Sequence, residues 1–437
     1  MTPLILIAQL TLAQAGGANA PVVITLQDAL ERARTNDAQF QSAMVDAEIA
    51  RGDRTQAKAS LLPATSASVQ WLGNQANGVN PNGRFVSLDG VNMYRVWGQA
   101  RQEVSANTFT LSPLRRAQYA EAAARARVDV AQRGLAVTVT KDYYALVTAQ
   151  RKYATAQQGA QQSARFLEVT RQQERLGQVA RSDVVKADLQ DRQQQQNYRE
   201  AQVAMEAARL SLAVLISSTF DENFTVVDDL RAAPALPPFD DVRGMAARSN
   251  ADLLAADQSL RAAAEEVRAA RNAFYPTLVV DAVYGIEANE FALHSAISAE
   301  PQYGILPNLG YFITANLTVP IWDWGGLRSK LQQSEARRRL AQVSLTQAQR
   351  LALSNLYSMY NEAIAAKAGV ENLQQVADLA AESLRLTNLR YQAGESTALE
   401  VVDAQNTLVQ TRNAADDAET RYRVALAQLQ TLTGPFQ

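Results

Sequence analysis

The 437 residues carry 42 Lys and Arg against 44 Asp and Glu, a formal charge of −2. That balance argues against a nucleic-acid partner, which normally demands a basic surface. Cysteine is absent and His294 is the single histidine, so disulfides, thiol catalysis and the common zinc sites are excluded, and no catalytic, cofactor or metal site is expected.

No apolar run in the sequence reaches the roughly 18 residues of a transmembrane helix. At the N-terminus the short apolar core at 4–12 is followed by Ala13-Gln14-Ala15 and Ala18-Asn19-Ala20, both of small-x-small form. Pro21 disfavours cutting after Ala20, so residues 1–15 are expected to be a secretory signal peptide. A lipoprotein anchor would need a cysteine.

A short helix is expected from Thr25, its N-cap, and a second over about 38–61, stopped by Pro63. The period then becomes two. Thr65, Ala67, Val69 and Trp71 alternate with polar residues in a strand at about 64–72, a polar loop covers 74–90, and a return strand is expected over about 94–111, carrying Arg95, Arg101 and Glu103. Beyond Pro113 the helical period resumes over about 114–176, with Val128, Ala131, Leu135, Val139, Tyr143 and Leu146 on one face. A helix of that length is a rod of roughly 95 Å. A turn at 177–182 leads to a shorter helix, and a Pro-rich linker or strap fills 218–238.

The second half repeats the plan. Two helices broken at Asn250 end before Pro276; strands at about 277–286 and 309–319 flank a loop that holds His294; and a second rod runs from about 327 to a turn at 394–397 and a last helix. The stretches 175–190 and 390–405 match at Gly177/Gly394, Asp183/Glu400, Val184/Val401, Val185/Val402 and Ala187/Ala404, at a constant offset of 394 − 177 = 217. Two copies of one unit, 25–217 and 239–434, are therefore the expected organisation.

Four strands with one apolar face cannot close a barrel, and a strand edge cannot stay unpaired in lipid. Barrels begin at about eight strands, so several chains are needed. Ala-rich helices with small residues on more than one face pack on both sides, as in a closed array. The run Gln193 to Gln196 suits either a water-lined face or a solvated coiled-coil surface. The fold expected is mainly α, with a membrane β-barrel portion.

The Leu-Pro and Tyr-Pro starts of the strands, the segment Leu-Thr-Val-Pro-Ile-Trp-Asp-Trp-Gly-Gly at 317–326 and the paired Gly177 and Gly394 turns resemble the TolC family of outer membrane efflux proteins, over essentially the whole chain beyond the signal peptide. The resemblance implies a homotrimer with a twelve-stranded barrel in outer membrane lipid, continued by a periplasmic α-helical barrel. It also implies a periplasmic adaptor and an inner membrane pump as partners, in a tripartite efflux or type I secretion system without covalent chemistry. Pro113-Leu-Arg-Arg lacks the Trp-Asp-Trp-Gly-Gly of the second copy, so the first strand-to-helix junction is expected to be built differently.

Glu400 and Asp403 are three apart on one helix face. In a trimer they form a ring that favours cations and raises carboxylate pKa values by mutual repulsion. The resemblance assigns them to a periplasmic gate, with Tyr391 in its latch and Ser182 and Asp183 as latch partners on the other hairpin. Ser396 stands where a basic latch residue can occur, and Arg181 is the candidate substitute. The alternative for Glu400 is a first-turn charge that complements the helix dipole. Gly177 and Gly394 read as left-handed helix stops; by resemblance the turns Gly177, Gln178, Val179 and Gly394, Glu395, Ser396 also dock the adaptor. Trp322 and Trp324 are expected anchors at the membrane interface, with plain packing as the alternative. The rival reading is a periplasmic coiled-coil tether without a pore. An enzyme is disfavoured by the missing His/Cys constellation.

Overall fold

The computed structural model describes residues 22–73, 92–217, 223–288 and 309–435. The signal peptide expected at 1–15, the loop at 74–90, most of the loop before Leu309 and His294 lie outside the described residues. Among the described residues the order is β1 (Val22–Ile24), α1 (Leu26–Asn36), α2 (Ala38–Ala59), β2 (Ala64–Gly73), β3 (Asn92–Val104), α3 (Ala106–Thr110), α4 (Ser112–Arg175) and α5 (Arg181–Ile216). There follow β4 (Phe224–Val226), α6 (Phe239–Ser249), α7 (Ala251–Asn272), β5 (Thr277–Ala288), β6 (Leu309–Thr318), α8 (Gly326–Gln392) and α9 (Ala398–Thr433).

This order repeats itself. Helices α1 and α6 both have 11 residues, α2 and α7 both 22, and α5 and α9 both 36, while α4 has 64 against 67 in α8. Even the two short strands correspond, since β1 precedes α1 and β4 precedes α6. They pair with each other in parallel, Val22 with Phe224 and Ile24 with Val226. The described residues fall into two compact units, one drawn from 1–41, 131–249 and 355–437, the other from 42–130 and 250–354.

In the second of these units the strands form one antiparallel sheet in the order β2-β3-β5-β6. Because side chains alternate along a strand, the register sorts them cleanly. Pairing Val69 with Val96, Ala100 with Ala282, Ile286 with Leu309 and Ala282 with Ile313 gathers the apolar residues on one face. Tyr284 stands opposite Tyr311 on that same face. The other face is polar: the Arg95 guanidinium contacts Glu287 at 2.8 Å and Gln70 at 3.2 Å, and Arg101 lies 3.8 Å from Asp281. The apolar side is bare, with Val69, Tyr284, Tyr311, Ile313 and Leu317 all exposed. Strands β2 and β6 are the edges, and neither has a second neighbour among the described residues.

The return strand expected over 94–111 ends at Val104. Ser105 and Thr108 form a capping box that starts α3, and Leu111 then takes a left-handed φ of 55° before α4 begins. The alternation of Asn107, Phe109 and Leu111 imitates a strand, but local capping overrides it. Asn272 holds the corner, its amide donating to Thr110 Oγ1 at 2.7 Å and to Asn107 Oδ1 at 3.0 Å. The second junction is built from different parts. Asp323 accepts from the Gly325 N–H at 3.0 Å and from the Leu327 N–H, capping α8, while Trp324 and Gly325 both adopt positive φ.

The other unit has a buried core along α4. The Tyr143 hydroxyl donates to the Val227 carbonyl at 2.8 Å, sits 3.2 Å from that of Ile24 and accepts from the Val227 N–H at 3.1 Å. One phenol thus ties the β1–β4 pair to α4. Burial pushes its pKa up to about 12. The Pro-rich segment is strapped down by Tyr422, which donates to the Pro234 carbonyl at 3.1 Å, and by Tyr360, which donates to that of Pro237 at 3.1 Å. Beside it Arg151 meets three carboxylates, Asp228 at 2.6 Å, Glu419 at 2.7 Å and Asp416 at 3.1 Å.

Candidate functional site: the paired helical turns

The two long helices end in the same way. After α4 the Gln178 N–H donates to the Gln173 carbonyl at 2.8 Å and the Gly177 N–H to that of Glu174 at 2.9 Å; after α8 the Glu395 N–H donates to the Arg390 carbonyl at 2.9 Å and the Gly394 N–H to that of Tyr391 at 3.0 Å. Both are Schellman motifs, which need a left-handed residue just past the helix. Gly177, at φ 73°, and Gly394, at φ 79°, supply it without a Cβ clash.

The restart differs between the copies. Thr397 caps α9 and shares a capping box with Glu400, whereas Ala180 at the start of α5 has no side chain able to cap. The sequence Thr-Ala-Leu-Glu was the readable signal for that box. Glu400 is therefore bound within its own turn. Its carboxylate accepts from the Ser396 hydroxyl at 2.9 Å and from the Thr397 N–H at 3.4 Å, and lies 3.7 Å from the Arg390 guanidinium. These contacts, the Ser396 hydrogen bond first, hold its carboxyl below the ordinary glutamate value. Within one chain the shift thus runs opposite to the rise that repulsion in a ring would produce, and the first-turn role weighed for Glu400 is the one its contacts satisfy. Asp403, one turn on, is exposed, and among the described residues no hydrogen bond or ion pair engages its carboxylate.

Tyr391 lies inside, 8% exposed. Its hydroxyl donates to Gln173 Oε1 on α4 at 2.9 Å, and its ring packs on Phe166. Around it Phe166, Leu167, Val184, Ala187, Ala398 and Val401 form one apolar cluster drawn from α4, α5 and α9. That cluster, more than any salt bridge, joins the two turns. Ser182 and Asp183 sit at the start of α5, but neither meets Tyr391: Asp183 pairs with Lys186 at 3.8 Å, and Arg181 with Glu174 at 3.4 Å. Arg181 therefore braces its own hairpin. Gln178, Val179 and Glu395 line the turns.

Two residues here escaped the sequence reading, Gln173 and Arg390. They are the same position in the two copies, since 390 − 173 = 217, the repeat offset. Trp322 and Trp324 belong to the other unit. They are 75% and 90% exposed, and their rings meet edge to face at 5.6 Å. Among the described residues no group of three or more His, Cys, Asp or Glu could hold a metal ion, and no helix is long and apolar enough to cross a membrane.

The sequence profile of the family described as Outer membrane efflux protein matches residues 242–435. The pyoverdine export outer membrane protein OpmQ of Pseudomonas putida is 32% identical over 183 residues, 41% of this chain and 34% of that protein. The chain thus spans about a third of the length of the pyoverdine-export relatives that it matches. Outer membrane protein TolC of Escherichia coli is 22% identical over 418 residues, 94% of this chain and 82% of TolC. The fold is shared with the Campylobacter jejuni CmeC outer membrane channel, at a TM-score of 0.78 and 16% identity over 94% of this chain and 85% of that one. The likeness to TolC and to CmeC spans the duplicated helices, the sheet and both glycine turns, and the profile match covers the second repeat: the chain has the fold of these outer membrane channels and is similar in sequence to outer membrane efflux proteins, and the outer membrane is its location.

Proposed function

We propose that this chain is the exit duct of a tripartite efflux or type I secretion system. In this reading it is a homotrimer whose chains each give four strands to a twelve-stranded outer membrane barrel and whose long helices close into a periplasmic tunnel. The mature chain is two repeats, 25–217 and 239–434, joined by 218–238 after loss of residues 1–15. One observation carries the reading. The sheet is apolar on one exposed face and polar on the other, and both its edges are unpaired among the described residues. Lipid tolerates no such edge, so the sheet needs further chains to close it. The apolar face then meets lipid and the Arg95–Glu287 face lines the lumen. Exposed Trp322 and Trp324 suit anchors at the membrane interface.

The paired turns serve as the periplasmic gate. Glu400 and Asp403 supply its carboxylates, Tyr391 latches it, and Arg181, Ser182 and Asp183 form its rim on the first hairpin. The turns Gly177, Gln178, Val179 and Gly394, Glu395, Ser396 dock the periplasmic adaptor, which couples the duct to an inner membrane pump. The duct itself does no covalent chemistry. Single-channel recording of the detergent-purified protein in a planar bilayer tests this. A small cation-selective conductance blocked by divalent cations from the periplasmic side is expected, with selectivity and block lost in Glu400→Ala/Asp403→Ala. Failure of the folded protein to insert would overturn the duct and favour the periplasmic tether.

A further inference from the structure

The two carboxylates assigned to the gate are in different electrostatic states, and the difference traces to Arg390. Its guanidinium reaches across the Gly394 turn. One nitrogen donates to the Glu395 carbonyl at 3.2 Å, and another lies 3.7 Å from Glu400 Oε2. Glu400 is held for that contact by Ser396 at 2.9 Å and by the Thr397 cap. Each contact alone is weak at an exposed site, but here they converge on one carboxylate whose position the helix cap fixes. Asp403 has nothing comparable: its carboxylate is solvent-exposed and unengaged among the described residues.

The first hairpin confirms that Arg390 is particular to the second turn. Its counterpart there is Gln173, the counterpart of Asp403 is Lys186, and Asp183 is paired with that lysine. The acidic and basic groups of the first turn, Glu174, Arg181, Asp183 and Lys186, are all in ion pairs. On the helix face that carries Glu400, Asp403 is left with an uncompensated charge among the described residues; Glu395 is also unpaired among them but lies in the turn before the cap.

We infer that Arg390 sets the ion selectivity of the gate: it neutralises Glu400 within each chain, so that Asp403 is the carboxylate that draws cations to the mouth. The inference rests on the duct reading and deepens its gate. It assigns Arg390 as a positioning residue, acting through Glu400, and reduces Glu400 to a cap that has lost its pull on passing ions.

The test is a charge cycle in the full-length protein, read as the cation-over-anion permeability ratio in planar bilayers under a potassium chloride gradient. Asp403→Asn should remove most of the selectivity. Arg390→Gln should raise it by roughly twofold, because the uncompensated charge per chain doubles, and Arg390→Lys should restore the parent ratio. Arg390→Gln/Glu400→Gln removes a neutral pair and should leave the ratio at the parent value. If that double variant loses selectivity as Asp403→Asn does, Glu400 acts as a free charge and the inference falls while the duct stands. A parent channel without cation selectivity overturns the acidic gate itself, and the assignment with it.

Discussion

The Tyr391 hydroxyl donates to Gln173 Oε1 at 2.9 Å, a bond between helices of the two repeats. It is made beside the Phe166 ring, whose centroid lies 5.3 Å from that of the Tyr391 ring. A hydrogen bond of this kind contributes about 0.5–1.5 kcal/mol net. Tyr391→Phe, which keeps the packing, should therefore raise the open-to-closed ratio of the channel by roughly two- to tenfold. Tyr391→Ala, which also empties a site in the apolar cluster, should raise it further. Open-time fractions equal to the parent in both variants would remove Tyr391 from the latch.

The pH dependence of the second turn follows from Glu400. Its carboxyl is held below the ordinary value of 4.5, first by the Ser396 hydroxyl, then by the Thr397 N–H and Arg390. A lowered carboxyl stabilises the fold fully above its unfolded value, and the stabilisation is lost as pH falls through the lowered value. The start of α9 should thus loosen below pH 4.5 and be unchanged above it. Hydrogen exchange of peptides covering 393–405, corrected for the intrinsic rate, should show this in the parent and not in Glu400→Gln. An equal response in both would put the titrating group elsewhere.

Arg151 holds Asp416 and Glu419, whose side chains are 14% and 8% exposed, together with the more open Asp228. Arg151→Met leaves Asp416 without its ion pair and Glu419 with Arg231 alone, 3.5 Å away, and should cost about 2–3 kcal/mol, the lower side of the range for buried pairs because Asp228 is solvated and Glu419 keeps a partner. The detergent-solubilised protein should melt earlier. Adding Asp416→Asn should recover part of the loss, because burial already pushes the Asp416 carboxyl up and its neutral form is the easier one to bury. Purely additive melting shifts would show that the two side chains are not coupled.

In the sheet, a Cβ at Gly285 would lie 2.0 Å from the Val96 carbonyl oxygen and 2.8 Å from Trp97 Cα, whereas one at Gly310, directly opposite on β6, would meet nothing. Gly285→Ala must push β3 and β5 apart, an overpacking cost of about 1–3 kcal/mol or more. Gly310→Ala should be tolerated. The yield of heat-resistant assembly on a gel should fall for the first variant alone; matching yields would show that the β3–β5 pairing relaxes without loss.

Local patterns carried much of this into the sequence. The alternation from Leu309 onward reads as a strand because its apolar and polar residues fall on opposite faces, and the glycines at 177 and 394 mark helix ends because glycine takes that φ cheaply. What stayed hidden depends on pairing across the chain. Three residues at 224–226 become β4 only because β1 of the first copy lies beside them, and Gln173 meets Tyr391 across 218 positions. Arg390 reaches Glu400 only once the turn has folded. The strand misread beyond Val104 is the converse, a local cap overruling an alternating pattern.

The two bare edges of the sheet carry a last consequence, for how the protein is made. If the sheet closes with other chains as proposed, a chain whose β2 and β6 have no second neighbour among the described residues has no resting state in a bilayer by itself, because each unpaired amide and carbonyl there costs free energy. Insertion and association must then be a single event. The yield of that event depends on how many chains arrive together, so the stability of the protein is a property of its concentration as well as of its sequence.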